Sequence, residues 1–275
     1  VAAPRAVFLD IDGTYAHRTV VPDAHVAAVR AARAAGNPVL LCTGRPRAMV
    51  PERIMAAGFD GFIGGAGAYV EVGGQVLADV RFPAEVAARA VEVLAAHDVA
   101  FILEAPDALY GPLDVARRLA ERFAKRFPDL PAQGPRDILD PLRMAADLSG
   151  ASFGKITCFD SAVPIPALAE EIGPEVAALP SSIPGMGDSA GEIHLVGLHK
   201  AVGMRMAAAH LGVPMDRVVA VGDGLNDVEM LAAAGTGVAV AGADPQLLAV
   251  ADRIAPGPDS GGLAVLFAEL GLGQR

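Results

Sequence analysis

Tryptophan is absent from this 275-residue chain, cysteine occurs twice and tyrosine three times. The two cysteines, Cys42 and Cys158, sit in separate apolar, strand-like runs, which argues against a disulfide framework and predicts two buried thiols. Long apolar runs are missing too, although 53% of the residues are hydrophobic. A spanning helix needs about 18 or more consecutive apolar residues. The longest weakly polar stretch, Phe62 to Val80, is broken by Glu71, Gln75 and Asp79 and is punctuated by glycine. Much of the apolar content is alanine, which forms helices as readily as cores. Positive charge is also scarce. Lys and Arg number 22 against 32 Asp and Glu, a formal net charge of −10, which speaks against nonspecific binding to nucleic acid or anionic lipid. Arg5 leads straight into a strand pattern with no charged-then-apolar signal segment, so the expectation is a soluble protein of the cytoplasm.

What is present is a rhythm. Val7-Phe8-Leu9 and Val39-Leu40-Leu41-Cys42 are short apolar runs of the kind a strand buried on both faces shows. Helical spacing covers 22–35 and 47–57, and Gly61-Phe62-Ile63 reads as a third strand. Strand alternating with helix predicts a parallel α/β sheet. The pattern then changes to a Gly73-Gly74 hairpin signal, helices over 83–97, 113–127 and 165–172, and strands over 99–104, 152–159 and 192–196. Residues 128–149 read as irregular and Pro-rich. After Lys200 the parallel rhythm returns, with a buried strand over 217–221. The expected organisation is an α/β core from residues 1–81 and 191–275, interrupted by an inserted α+β domain over 82–190.

Three predicted strands end in polar clusters: Asp10-Ile11-Asp12-Gly13-Thr14, Thr43-Gly44-Arg45 and Gly222-Asp223-Gly224-Leu225-Asn226-Asp227. Ligands of open parallel sheets bind beyond the carboxyl ends of the strands. Asp10 and Asp12, two apart on extended backbone, can face one crevice. Clustered with Asp223, they would repel one another and resist burial unless a cation joined them, and an all-oxygen set suits magnesium. A carboxylate can attack phosphorus, a second can carry the proton, and N–H donors with a lysine can hold the equatorial oxygens. Thr43, backbone N–H groups near Gly13 and Gly44, and Lys200 are the candidates for that last part.

This ordered set resembles the haloacid dehalogenase superfamily, specifically its Cof-type, subclass IIB phosphatases, and the resemblance runs through essentially the whole chain. It implies a Rossmann-like core with a C2-type cap, and Mg2+-dependent hydrolysis of a small soluble phosphomonoester, such as a sugar phosphate, through an aspartyl phosphate. Asp10 would be the nucleophile and a metal ligand. Asp12 would be the general acid/base, with its backbone carbonyl on the metal; Asp223 would ligate the metal and Asp227 would support it. Gly13, Thr43, Gly44, Lys200 and Asn226 would meet the phosphate. Arg45, Glu104, Tyr110 and Lys155 are the candidates for contact with the rest of the substrate. Two positions depart from the family pattern: Ala66-Gly67-Ala68 stands where many relatives have Asn-Gly-Ala, and Ala241-Gly242-Ala243 where they often have Gly-Asn-Ala.

The bland readings are weaker for the set than for its parts. Asp-Gly is a common turn pair, Asp227 could serve only a helix macrodipole, and Arg45 could pair with a structural carboxylate. The six histidines lack zinc spacing, Gly185-x-Gly187 has no serine between its glycines, and Gly64-Gly65-Ala66-Gly67 lacks the Lys-Ser/Thr of a phosphate loop. Phosphoglycomutase-like transfer and a non-catalytic phospholigand-binding module remain the alternatives. Oligomeric state stays open.

Overall fold

The computed structural model describes residues 3–17, 19–126, 133–181 and 189–274. The chain divides into two compact units. The first opens with β1 (Ala6–Leu9), α1 (Asp23–Ala34), β2 (Val39–Cys42), α2 (Glu52–Met55), β3 (Gly61–Gly64), β4 (Tyr69–Val72) and β5 (Gln75–Asp79). The second holds α3 (Ala84–Ala96), β6 (Ala100–Glu104), β7 (Leu109–Gly111), α4 (Val115–Arg126), α5 (Gln133–Leu139), β8 (Leu142–Met144), β9 (Lys155–Asp160), α6 (Ile165–Ile172), β10 (Val176–Pro180) and β11 (Gly191–Leu195). The first unit then resumes with α7 (Lys200–His210), β12 (Val218–Gly222), α8 (Val228–Ala233), β13 (Thr236–Val240), α9 (Pro245–Val250), β14 (Arg253–Ala255) and α10 (Gly262–Glu269).

The first unit is built on an eight-stranded sheet in the order β14-β13-β12-β1-β2-β3-β4-β5. Pairing is parallel from β14 to β3, and β4 runs antiparallel to β3. Successive side chains on a strand point to opposite faces. Val7, Leu9, Val39 and Leu41 therefore pack with Val29 and Ala32 of α1 and Leu266 and Phe267 of α10. Ala6, Phe8, Leu40 and Cys42 pack on the other face with Met204 of α7 and Leu231 of α8. α1 presents His25, Val29 and Ala32 inward at helical spacing, opens on Asp23 and closes near Arg33, in keeping with the helix dipole. From β1 the chain moves outward through β2 and β3, and later returns beside β1 with β12 before moving the other way. That reversal is the topological switch point, where the crevice of such sheets lies.

The second unit centres on a six-stranded sheet, β10-β11-β9-β6-β7-β8, antiparallel except between β7 and β8. One face carries Phe101, Leu103, Ile156 and Ile193 against α3 and α6. The other carries Ile102, Leu109 and Phe159 against α4 and α5.

Four expectations need correction. Gly191–Leu195, expected in the core, pairs with β9 and β10 inside the second unit's sheet, so the units divide at 78/79 and 198/199. Arg45–Met49 also belongs to the second unit. The single helix expected over 47–57 is a 3-10 turn, Arg47–Met49, followed by α2, because Pro51 has no N–H to continue the ladder and instead precedes α2 as its cap. The stretch read as irregular holds α5 and β8, while residues 127–132 within or beside it lie outside the described residues, as do Gly185 and Gly187. Two strands, β7 and β10, went unpredicted. Among the described residues no helix is long and apolar enough to cross a membrane.

Candidate active site

The site is assembled at the carboxyl ends of β1 and β12. Asp10 follows β1 directly, its N–H donating to the Val221 carbonyl at 3.0 Å, so the nucleophile candidate is pinned to the neighbouring strand. Asp223 follows β12. Thr14, buried, donates its hydroxyl to Asp223 Oδ1 at 2.9 Å and ties the two strand-end loops together. Between them stands Gly13 at φ +80°, where an added Cβ would fall 2.1 Å from Asp223 Oδ2. Only glycine both adopts that backbone and leaves the carboxylate its place.

Lys200, the first residue of α7, is 0% exposed. Its ammonium donates to Asp10 Oδ1 at 2.8 Å, to Asp227 Oδ1 at 2.6 Å and to Asn226 Oδ1 at 3.4 Å. Its entry is fixed by the tight turn after β3: Gly67, at φ +103°, lies so close that a Cβ there would sit 2.5 Å from the His199 carbonyl oxygen. Asp227 is also 0% exposed, and its second oxygen accepts the backbone N–H groups of Asp223 (3.1 Å) and Gly224 (3.0 Å). Asp227 therefore braces the Asp223 loop and the lysine at once.

The electrostatics follow from burial. Desolvation raises Asp10 well above the ordinary carboxylate range; Lys200 opposes this, while Asp227, Asp223 and Asp12 add to it. Asp223 is pushed up to about 6, first by burial and then by Asp227, against the Thr14 hydrogen bond. Burial alone would lower Lys200, yet Asp10 and Asp227 outweigh it and hold the ammonium above its usual value. Ligand oxygens of Asp10, Asp223 and Asp227 lie within 4.8 Å of one another. Three carboxylates against one ammonium leave an excess of negative charge that a cation would neutralise. Among the described residues nothing in the chain donates to Asp10 Oδ2 or Asp223 Oδ2, and hard oxygen donors fit a hard divalent ion. Both Asp227 oxygens are already committed, so Asp10 and Asp223 are the better direct ligands.

The other expected residues fall in several places. Asp12 is exposed on the same loop, beyond the carboxylate cluster. The Gly13 N–H donates to the Ala16 carbonyl at 2.9 Å, so the turn itself uses the donor assigned to phosphate. Thr43 is buried at the end of β2, its N–H on the Ile63 carbonyl and its own carbonyl accepting from Ala66, and half-buried Gly44 follows it. Arg45 belongs to the second unit, with Nη1 3.4 Å from Asp137 Oδ2 of α5 and 3.3 Å from the Met49 carbonyl. Tyr110 lies on β7 with the Arg143 guanidinium 6.0 Å over its ring.

Lys155 faces neither solvent nor an open surface. It is 3% exposed, with its ammonium 3.2 Å from Glu104 Oε2 and 3.0 Å from Glu192 Oε2, while Thr157 donates to Glu104 Oε1 at 2.5 Å. Burial raises Glu104; it would lower Lys155, but the two glutamates reverse that. Sequence reasoning named Glu104 and Lys155 and missed their partners Thr157 and Glu192. Period-2 alternation on β9 places Thr157 beside Lys155, but only strand register brings Glu192 there.

Fold and site together define a Rossmann-like α/β architecture with a carboxylate nucleophile candidate at the switch point of a parallel sheet. The family model of the haloacid dehalogenase-like hydrolases matches residues 7–267, and the chain belongs to that family. It is a phosphatase enzyme. YkrA of Bacillus subtilis (strain 168), named as a phosphatase, is 25% identical over 98% of this chain and 98% of its own length. A protein from Geobacillus kaustophilus HTA426 superposes with a TM-score of 0.82 at 25% identity, covering 98% of this chain and 100% of that one. The subclass IIB sugar phosphatase BT4131 superposes with a TM-score of 0.76 at 22% identity, over 98% and 99% of the two chains.

Proposed function

We propose that this phosphatase hydrolyses a small phosphorylated metabolite of the cytoplasm, a sugar phosphate being the favoured class, with Mg2+ and through a phosphoryl group carried on Asp10. The observation that carries the reading is the convergence of Asp10, Asp223 and the buried Lys200 ammonium at the β1/β12 switch point. The sugar class rests on the likeness to BT4131, which is a sugar phosphatase.

The chain's own groups divide the work. An Asp10 carboxylate oxygen attacks phosphorus; the bond from phosphorus to the ester oxygen breaks, and Asp12 gives that oxygen its proton. Asp12, now a carboxylate, takes a proton from water, whose oxygen attacks phosphorus and displaces Asp10, releasing inorganic phosphate. Lys200 offsets charge on the transferring group, and Asp227 keeps the ammonium in place. Mg2+, held by Asp10 and Asp223, would neutralise the carboxylate cluster and the phosphoryl oxygens. Thr43, Gly44 and Asn226 are assigned to the phosphate, and the Asp12 carbonyl to the metal.

The test is phosphate release from a panel of phosphorylated metabolites with Mg2+, ranked by kcat/KM. Asp10→Asn is expected to abolish release with the circular dichroism spectrum intact, and turnover in that variant overturns the nucleophile assignment. A single-turnover reaction that yields free phosphate supports hydrolysis, whereas transfer to a second hydroxyl of the sugar overturns it in favour of a mutase.

A further inference from the structure

Of the six histidines, all within the described residues, His25 alone is fully buried. Each of its ring nitrogens meets a backbone group. Nδ1 lies 2.9 Å from the Tyr15 carbonyl oxygen, and the Leu263 N–H points at Nε2 across 3.2 Å. A carbonyl can only accept and an amide N–H can only donate, so the neutral ring carries its proton on Nδ1. Tyr15 belongs to the loop after β1: its own N–H donates to the Asp10 carbonyl at 3.2 Å, and the Ala16 N–H, in the same peptide group as the Tyr15 carbonyl, donates to the Ile11 carbonyl at 2.8 Å. A hydrogen-bonded chain thus runs from Leu263, in the first turn of α10, through His25 and the Tyr15–Ala16 peptide to the Ile11 carbonyl, and Tyr15 itself is tied to the Asp10 carbonyl.

Among the described residues the imidazole has no charged partner. The Tyr15 ring stacks on His25 with centroids 6.3 Å apart, and burial pushes the Tyr15 phenol up to about 12, so it stays neutral. Arg30 of α1 acts on Tyr15. Of the elements packed against α1, α10 carries Glu269 on its exposed side and β2 carries Cys42 on the opposite face of the sheet. Asp259, just before α10, pairs with His17. Burial holds His25 below its ordinary value, against the Tyr15 carbonyl, which raises it.

We propose that His25 is a positioning residue for the nucleophile: by donating from Nδ1 to the Tyr15 carbonyl it holds the loop that carries Asp10. Nitrogen NMR of the imidazole at pH 8 is expected to show the Nδ1–H tautomer, and an Nε2–H tautomer overturns the proposal. Two variants separate positioning from packing. His25→Asn sets an amide nitrogen where Nδ1 stood, keeping the bond to Tyr15 and dropping Leu263. His25→Gln reaches Leu263 and drops Tyr15. Each loses one hydrogen bond, so a purely structural role moves the two alike.

With Mg2+ and a chromogenic aryl phosphate, which reports phosphatase activity whatever the natural ester, His25→Asn is expected to keep kcat within about threefold of the unaltered enzyme. His25→Gln is expected to lose about tenfold or more in kcat, with KM changed less. Equal kcat in the two variants overturns the proposal. Should neither variant fold, the imidazole tautomer decides: Nδ1–H supports the proposal and Nε2–H overturns it.

Discussion

Lys200 stays charged with no exposed surface because two carboxylates stand within 3 Å of its ammonium. Breaking a buried ion pair on one side leaves uncompensated charge, which costs about 3–5 kcal/mol. Lys200→Met is therefore expected to abolish turnover and to lower stability by that order, read from urea unfolding. Gly13 is constrained from two sides, by its positive φ and by Asp223 Oδ2. Gly13→Ala is expected to rotate the Asp223 carboxylate away and to weaken Mg2+ activation about tenfold or more, measured as the metal concentration giving half-maximal rate. The motif residues were legible in the sequence because their spacing at strand ends is local. The brace formed by Asp227 was not, since an Asp at that position also suits a helix start, and the sequence carries no sign that its two oxygens would hold a lysine and two amides.

At the scale of elements, the tight turn Gly65–Gly67 makes one departure from the expected family pattern costly. Ala66 sits at φ 54°, ψ 34°, the left-handed region where Asn is far more at ease than Ala. A β-branched residue there is a strong outlier. Ala66→Val is expected to cost about 2 kcal/mol or more, while Ala66→Gly stays within about 1 kcal/mol, because relief of strain and loss of chain entropy oppose each other. Thermal unfolding of the two variants checks the contrast. In the second unit, Lys155 holds two buried glutamates. Lys155→Met is expected to destabilise by about 3–5 kcal/mol, and the triple replacement Lys155→Met, Glu104→Gln, Glu192→Gln by less, which rests the cost on stranded charge. Sequence placed Lys155 on a strand but not on a face: the pairing of Glu104 with Lys155 and of Thr157 with Glu192 is a matter of register. Pro51 was the legible signal for ending a helix that the apolar pattern alone prolonged.

For the whole molecule, the raised carboxylates make stability depend on pH and metal together. Asp10 and Asp223 bind protons more readily folded than unfolded, so their contribution is fully present below the unfolded carboxylate value near 4. It is lost as pH rises, through about 6 for Asp223 and above its ordinary range for Asp10. The metal-free protein is therefore expected to lose melting temperature from this site between pH 4 and 7, while saturating Mg2+ raises it more at pH 8 than at pH 5. Calorimetry at both pH values checks this, and a metal-induced shift larger at pH 5 would contradict it.

Read along the chain, the sequence by itself determined the alternating strands and helices, the carboxylates at strand ends and the family those motifs mark. Each of these depends on neighbours within a few residues: side-chain period, Gly and Pro punctuation, motif spacing. Tertiary structure alone decided that Thr14 would meet Asp223, 209 positions away, and that Lys200 would reach Asp10 across 190. It also placed Gly191–Leu195 in the second sheet and sealed Lys155 between two glutamates. Strand order and register set which side chains lie a few ångströms apart. At those distances burial and charge, rather than local propensity, govern what each group can do.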